Sequence, residues 1–312
     1  MNRLIWAWVA VLWCVFGQLP RATACALGDA EPHPGLSRTD AFAAGEVVLT
    51  FDDGPQPGPT KRLLDLLDQH RLKATFFVVG LWVRDDTYRL IQRMAASGHE
   101  IGNHTYGHDL YLTRRGWGSD YVEGQYELTH VLVELALLAE SPEEFREHYR
   151  RVFERKPGVL LKPEQVRNDW RAIQRNHFAL LAEKGYGAER RVYRMLFARP
   201  PGGIPYEGRW PSKLMRREHE TALRRLGLMN ILWHGGSGDT VLGKLDDFRY
   251  LVDNVRYHTE KGGVLLIHDR MRYDALVAAF ERLSKDPKIR VRTLRSAVEA
   301  KYRCEARAPQ SG

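Results

Sequence analysis

Thr50-Phe51-Asp52-Asp53-Gly54-Pro55 closes the run Glu46-Val47-Val48-Leu49. The run is short, apolar and β-branched, as a buried strand is, and Gly54-Pro55 ends it with turn chemistry. Neighbouring strand residues point to opposite faces, but a sharp turn at a strand end lets both carboxylates reach one cleft. About fifty residues on comes His104-Thr105-Tyr106-Gly107-His108. Its lead-in, Gly98-His99-Glu100-Ile101-Gly102-Asn103, favours a loop or strand end over a helix interior. Taken singly, Asp-Asp-Gly-Pro reads as a polar turn, and most paired histidines bind nothing. Together, one Asp and two His form a metal-ligand set with positions left open for water. The second Asp beside them is a ready general base, which points to metal-assisted hydrolysis.

Three later segments repeat the design. Arg191 to Ala198 reads as a strand delivering Arg199-Pro200-Pro201-Gly202-Gly203. Leu228 to Trp233 reads as a strand delivering a glycine-rich loop with Asp239, and Gly263 to Ile267 delivers His268-Asp269. Strands that each end in chemistry-bearing residues describe an α/β barrel with its site at the strand C-termini.

These five segments resemble the five motifs of the polysaccharide deacetylase family, the NodB-homology or carbohydrate esterase 4 group, across roughly residues 46 to 296. The resemblance implies a distorted (β/α) barrel of fewer than eight strands. It also implies a divalent metal, usually zinc, and removal of N- or O-acetyl groups from a polysaccharide. Cobalt and other divalent ions suit the same donors. Carried over, Asp53, His104 and His108 resemble the metal triad, and Asp52 the base that deprotonates the attacking water. Arg199 resembles the arginine that orients and tunes that base, and His268 the acid that protonates the leaving amine. Leu266 resembles the wall of the acetyl pocket, and Gly202, Trp233 and Asp239 complete the substrate-facing set. Glycine at 202 lets a backbone N–H approach an oxyanion closely. The expected activity is N-deacetylation of an N-acetylglucosamine-containing polysaccharide. O-acetyl esterase activity on a xylan-like glycan, or glycan binding on a decayed scaffold, are the alternatives.

Two departures stand out. The fourth motif usually carries Asp-x-x-Asp-Trp, but here Gly236 takes the first Asp position and Thr240 the Trp, with Asp239 matching the second Asp. The general acid is therefore expected to lack its usual carboxylate unless Asp239 or Asp269 supplies one. Second, His108 to Arg199 is about twice the distance that the resemblance leads one to expect. The surplus, about residues 116–190, is helical in pattern. Val131, Leu132, Leu135, Leu137 and Leu138 make an apolar stripe. Ser141-Pro142 and Lys162-Pro163 read as helix starts. Two readings stand: a cap that shapes the substrate groove, or a decoration outside the barrel.

The chain has 312 residues, 44% hydrophobic and 28% charged, ordinary for one large-core domain with no internal repeat. Residues 1–24 read as a secretory signal: Arg3, the apolar Leu4 to Phe16, then Ala22-Thr23-Ala24. An uncleaved anchor or a lipoprotein at Cys25 are the competing readings. With the signal gone, no stable membrane span is expected. A secreted or periplasmic protein with Cys25 and Cys304 remaining invites a disulfide between them. Residues 25–45 read as a lead-in, 46–304 as the catalytic domain and 305–312 as a tail. The net charge of +8 favours acidic envelope polymers. No nucleic-acid motif appears, so the expected partner is an acetylated polysaccharide, with oligomeric state open.

Overall fold

The computed structural model describes residues 35–187, 190–207 and 212–302. The signal segment, Cys25 and Cys304 lie outside the described residues.

β1 (Glu46–Gly54), β2 (Thr75–Val78), β3 (Glu100–Asn103), β4 (Phe197–Ala198), β5 (Met229–Asn230), β6 (Gly235–Gly236), β7 (Gly263–His268) and β8 (Arg290–Arg292) form one parallel sheet. Its order is β5-β4-β3-β2-β1-β7-β6. β7 runs along one edge of β1, from Val47 opposite Gly263 to Asp52 opposite His268. On the other edge β8 takes the first residues of β1 and β2 the last. The path ends, β5 and β6, are consecutive pieces of one stretch of chain. Met229 donates to Leu196 O, and Ser237 donates to Leu266 O. The segment read from sequence as a strand, Leu228 to Trp233, holds only β5, and β6 lies in the glycine-rich stretch read as a loop; together they make a bent stave that closes the curled sheet into a distorted (β/α) barrel. The predicted strand Arg191 to Ala198 shortens to β4, since Arg191 and Tyr193 turn aside to contact a helix.

Alternation along β1 places the site. Val47, Leu49 and Phe51 join the large core between strands and helices. Val48 joins the smaller core with Phe77, Phe197, Ile231 and Val264. Thr50 and Asp52 share the face of Val48, so Asp52 sits in the barrel mouth.

The helices α1 (Pro59–His70) and α2 (Tyr88–Ala96) follow β2's flanks in the usual way. α3 (Gly118–Leu138), α4 (Pro142–Phe153) and α5 (Pro163–Glu183) occupy the surplus stretch. α4 starts as expected, with Ser141 accepting from Glu144 N–H and Pro142 in the first turn. α3 is buried on every side from Tyr121 to Ala136. It packs on β3, α2 and α6 (Lys213–Leu226) as well as on α4 and α5. Its buried acids are paired: Glu127 and Glu134 with Arg191, Glu123 with Arg225. α3 therefore packs as part of the barrel's helical layer, with α4 and α5 against it. The chain ends with α7 (Phe248–Lys261), α8 (Tyr273–Lys285) and α9 (Leu294–Tyr302). Among the described residues, no helix is long and apolar enough to cross a membrane.

Candidate metal and catalytic site

The two carboxylates reach the cleft by an irregularity in β1. Pairing with β2 shifts register between Asp52 and Gly54, and Asp53 takes φ 70°. A bulge of this kind re-aims a side chain. Asp52 keeps the strand's inward direction, while Asp53 swings over to the histidines.

Asp53 Oδ1 lies 3.1 Å from His108 Nε2 and 3.5 Å from His104 Nε2. The ligand atoms of all three lie within 4.8 Å of one another. His104 donates from Nδ1 to the Arg199 carbonyl at 2.7 Å, which leaves its Nε2 lone pair facing Asp53. Asp53 Oδ1 is buried with no hydrogen-bond partner, an orphaned acceptor at the centre of a donor set. Burial raises the Asp53 carboxyl, but the two imidazoles outweigh it and hold it far below the usual range. These residues fit a divalent cation.

Asp52 borders that cluster through one oxygen and is held by an arginine through the other. Its Oδ1 accepts from Arg199 Nη1 at 2.7 Å, and its Oδ2 lies 3.7 Å from His104 Nε2. Arg199 is fully buried. It also donates to Ile231 O at 3.0 Å and to Thr50 Oγ1 at 2.8 Å, and stacks 4.1 Å over Phe77. Burial depresses its guanidinium, partly offset by Asp52, and it remains a cation. Thr50 donates in turn to Leu265 O at 2.8 Å. The sequence reading passed over Thr50. Its position two residues before Asp52, hence on the same face, is the signal that finds it.

His268 ends β7 opposite Asp52. Its Nδ1 donates to Asp239 Oδ1 at 2.9 Å and its backbone N–H to Asp239 Oδ2 at 2.8 Å. Its Nε2 faces the triad, 3.9 Å from Asp53 Oδ2. Burial opposes protonation of His268, but the Asp239 bond and the nearby aspartates prevail and raise its pKa. Of the two carboxylates left open as a partner, Asp239 is the one in contact, and one expectation changes. The partner lost at Gly236 is replaced by Asp239, because the turn after β6 brings Asp239 back against the end of β7. Asp239 is accordingly not substrate-facing: it is buried and both oxygens serve His268. Asp269 turns away, accepting from Thr60 Oγ1, and burial with Asp53 nearby pushes its carboxyl up to about 6.

Gly202 lies exposed in the turn Pro201–Gly203 with φ 59°, where a Cβ would meet Leu110. Leu266 and Trp233 are half-buried, and Trp233 lies 5.7 Å from the Arg199 guanidinium. Arg270, absent from the sequence reading, reaches Asp53 Oδ2 at 3.0 Å. Its place two residues after His268 is the only signal for it.

Residues 40–152 match the family model described as polysaccharide deacetylase. Over 69 residues the chain is 52% identical to a chitooligosaccharide deacetylase of Bradyrhizobium sp. (strain ANU 289), covering 22% of this chain and 31% of that protein. The matching segment thus spans about a third of that relative's length. Peptidoglycan deacetylase PdaC from Bacillus subtilis superposes with TM-score 0.52 at 22% identity, over 86% of this chain and 95% of that one. A family 4 acetyl xylan esterase from Clostridium thermocellum, solved with a cobalt ion, gives TM-score 0.51 at 21% identity, over 82% and 91%. These two structures share the fold. Because the family model covers the segment carrying both Asp-Asp and His-x-x-x-His, residues 40–152 are a polysaccharide deacetylase segment, and the rest of the chain completes the barrel that these two structures share.

Proposed function

We propose that this protein is a metal-dependent hydrolase that removes N-acetyl groups from an N-acetylglucosamine-containing polysaccharide of the cell envelope. The observation that carries the reading is the division of labour between adjacent carboxylates. Asp53 faces two histidines with an orphaned oxygen, while Asp52 is held by a buried arginine. Asp53, His104 and His108 would hold the ion, zinc or another divalent metal. When bound, such an ion supplies Lewis acidity to the acetyl carbonyl and acidifies water.

The chain's own groups do the rest. Asp52, held in place by Arg199, accepts the proton of the attacking water as oxygen bonds to the acetyl carbon. Gly203 donates its N–H to Pro200 O, so the amide of the turn left for the developing oxyanion is that of Gly202. His268, its Nδ1 fixed by Asp239, presents Nε2 to the leaving nitrogen and protonates it as the C–N bond breaks. Leu266 walls the methyl of the departing acetate. The products are acetate and the free amine.

The test is acetate release from chitin oligomers, peptidoglycan and acetylated xylan, using metal-stripped protein with metal added back. Metal-restored release from the N-acetylated glycans is expected. Release from xylan alone would move the reading to an O-acetyl esterase. No release from any, with metal bound, would overturn the hydrolase reading in favour of glycan binding.

A further inference from the structure

A groove of about 330 Å³ opens beside the triad, with His108 on its wall. That volume is at the lower end of small-molecule sites, about 300–1,000 Å³. One side is the loop after β3, with Leu110 47% and Tyr111 60% exposed. Another side is the connection between α4 and α5, where Leu160 is 53% exposed. Large apolar side chains exposed singly mean little, but a contiguous set around a groove marks a binding surface.

The connection is fastened to the metal loop. Tyr106, between the two triad histidines, accepts from Leu161 N–H at 3.2 Å and donates to Val159 O at 3.5 Å. Leu160 Cδ1 would touch a Cβ at Gly107 at 3.8 Å, so it lies over the histidine loop itself. The groove floor is rigid and polar. Asp109 accepts from Arg115 and from Tyr121 O–H at 2.6 Å, and Gln125 Nε2 donates to the Tyr121 hydroxyl at 2.9 Å.

We propose that the α4–α5 connection and the loop after β3 form a second sugar subsite, which holds the pyranose next to the one being deacetylated. This rests on the deacetylase reading above. A pyranose ring has an apolar C–H face and a hydroxyl rim. The C–H face suits the exposed Tyr111 ring and Leu160, because polarised C–H groups are attracted to the negative face of an aromatic ring. The rim would meet the polar floor. Continuity with His108 selects a unit of the same chain over a separate ligand. The surplus stretch of sequence then acts in substrate choice through the loop that connects α4 and α5.

The test uses Tyr111→Ala and Leu160→Ser, both at exposed positions, with melting temperature as the fold control. Acetate release is measured on N-acetylglucosamine itself and on its pentamer, alongside direct binding of the pentamer by calorimetry. The expected result is a fall of about tenfold in kcat/KM for the pentamer, carried by KM, with turnover of the single sugar, which has no neighbouring unit to place in the subsite, unchanged. An unchanged pentamer KM in both variants, or an equal fall in kcat at both lengths, would overturn the subsite. If wild type releases no acetate, the deacetylase reading fails, and calorimetry decides the subsite alone. Weaker pentamer binding by the variants would uphold it, and undiminished binding, or none by wild type, would sink it.

Discussion

Asp239→Asn isolates the support of His268. Asp239 is 5% exposed and takes two N–H groups of one residue, the backbone at 2.8 Å and Nδ1 at 2.9 Å. Asparagine keeps the shape but offers one acceptor oxygen, so one of those donors must face an NH2 group. An unsatisfied buried donor costs about 1–3 kcal/mol, and the lost charge weakens the surviving bond, since charge-assisted bonds are about twice as strong as neutral ones. Both effects fall on the imidazolium form that donates the proton. The expected loss of about 2–3 kcal/mol corresponds to about 30- to 150-fold in kcat/KM. The assay is acetate release with metal content and melting temperature measured on the same preparation. A loss under about threefold in folded, metallated protein would mean that Asp239 does not serve His268, or that His268 is not the acid. Gly236→Asp, by contrast, should bring no gain: its Cβ would sit 3.0 Å from Leu266 O, and His268 already has its carboxylate.

Asp52→Asn should retain metal and lose about 10²- to 10⁴-fold in turnover; near-normal turnover would remove it as the base. His104→Ala and His108→Ala should lower bound metal and activity together, measured by metal analysis, and stoichiometric metal in both would refute the triad. Thr50→Val, nearly isosteric, strips one partner from Arg199 and should cost about 1–3 kcal/mol of stability in denaturant titration while sparing metal content; an unchanged midpoint would refute the anchor. Burial holds His99 at about 4, and His177 and His219 at about 3. Their folded values lie below the unfolded value, so their contribution is intact above about pH 6.5 and lost on acidification, each by about 1.4 kcal/mol per pH unit, or about 2 kcal/mol at about pH 5. His177→Leu should flatten the fall of melting temperature between neutral and that pH, and an identical slope would count against it.

The site was legible wherever chemistry sits in short contiguous motifs at strand ends. Asp52, Asp53, His104, His108, Arg199 and His268 can be picked out because each follows an apolar run that must be a strand, and the structure brings them to one barrel mouth. What sequence spacing misjudged was set by backbone path. Gly236 holds the motif position of a carboxylate, but in the fold it pairs with Leu266, and only the turn beyond it delivers Asp239 to His268. The strand read at Leu228 to Trp233 covers β5 alone, and β6 reads as a loop because Gly235-Gly236 has no side chains to give a strand pattern. α3 reads as amphipathic because Glu127 and Glu134 look solvent-bound. Their partner Arg191 lies far along the chain, a pairing no local pattern reveals.

Backbone strain ties these parts together. Among the described residues, the non-glycine positions with positive φ are Asp53, Arg71, Thr105, His108 and Glu154. Arg71 and Glu154 simply end α1 and α4. The other three lie in or between the triad ligands, and Thr105, being β-branched, is the least suited to φ 68°. Left-handed backbone costs about 1–2 kcal/mol per residue, so something must hold this loop. The holding bonds lead to α3. Tyr106 N–H reaches Gln125 O at 2.8 Å, Gly107 N–H reaches Gln125 Oε1 at 3.0 Å, and Asn103 Nδ2 reaches Tyr126 O at 2.8 Å. Asn103 then accepts from Thr105 N–H at 3.0 Å. A helix with one solvated face would give at its ends and edges; α3 is clamped on all sides and does not. The spacing of His104 and His108 about Asp53 is therefore as much a product of α3, packed between the barrel and α4–α5, as of the strand that precedes them.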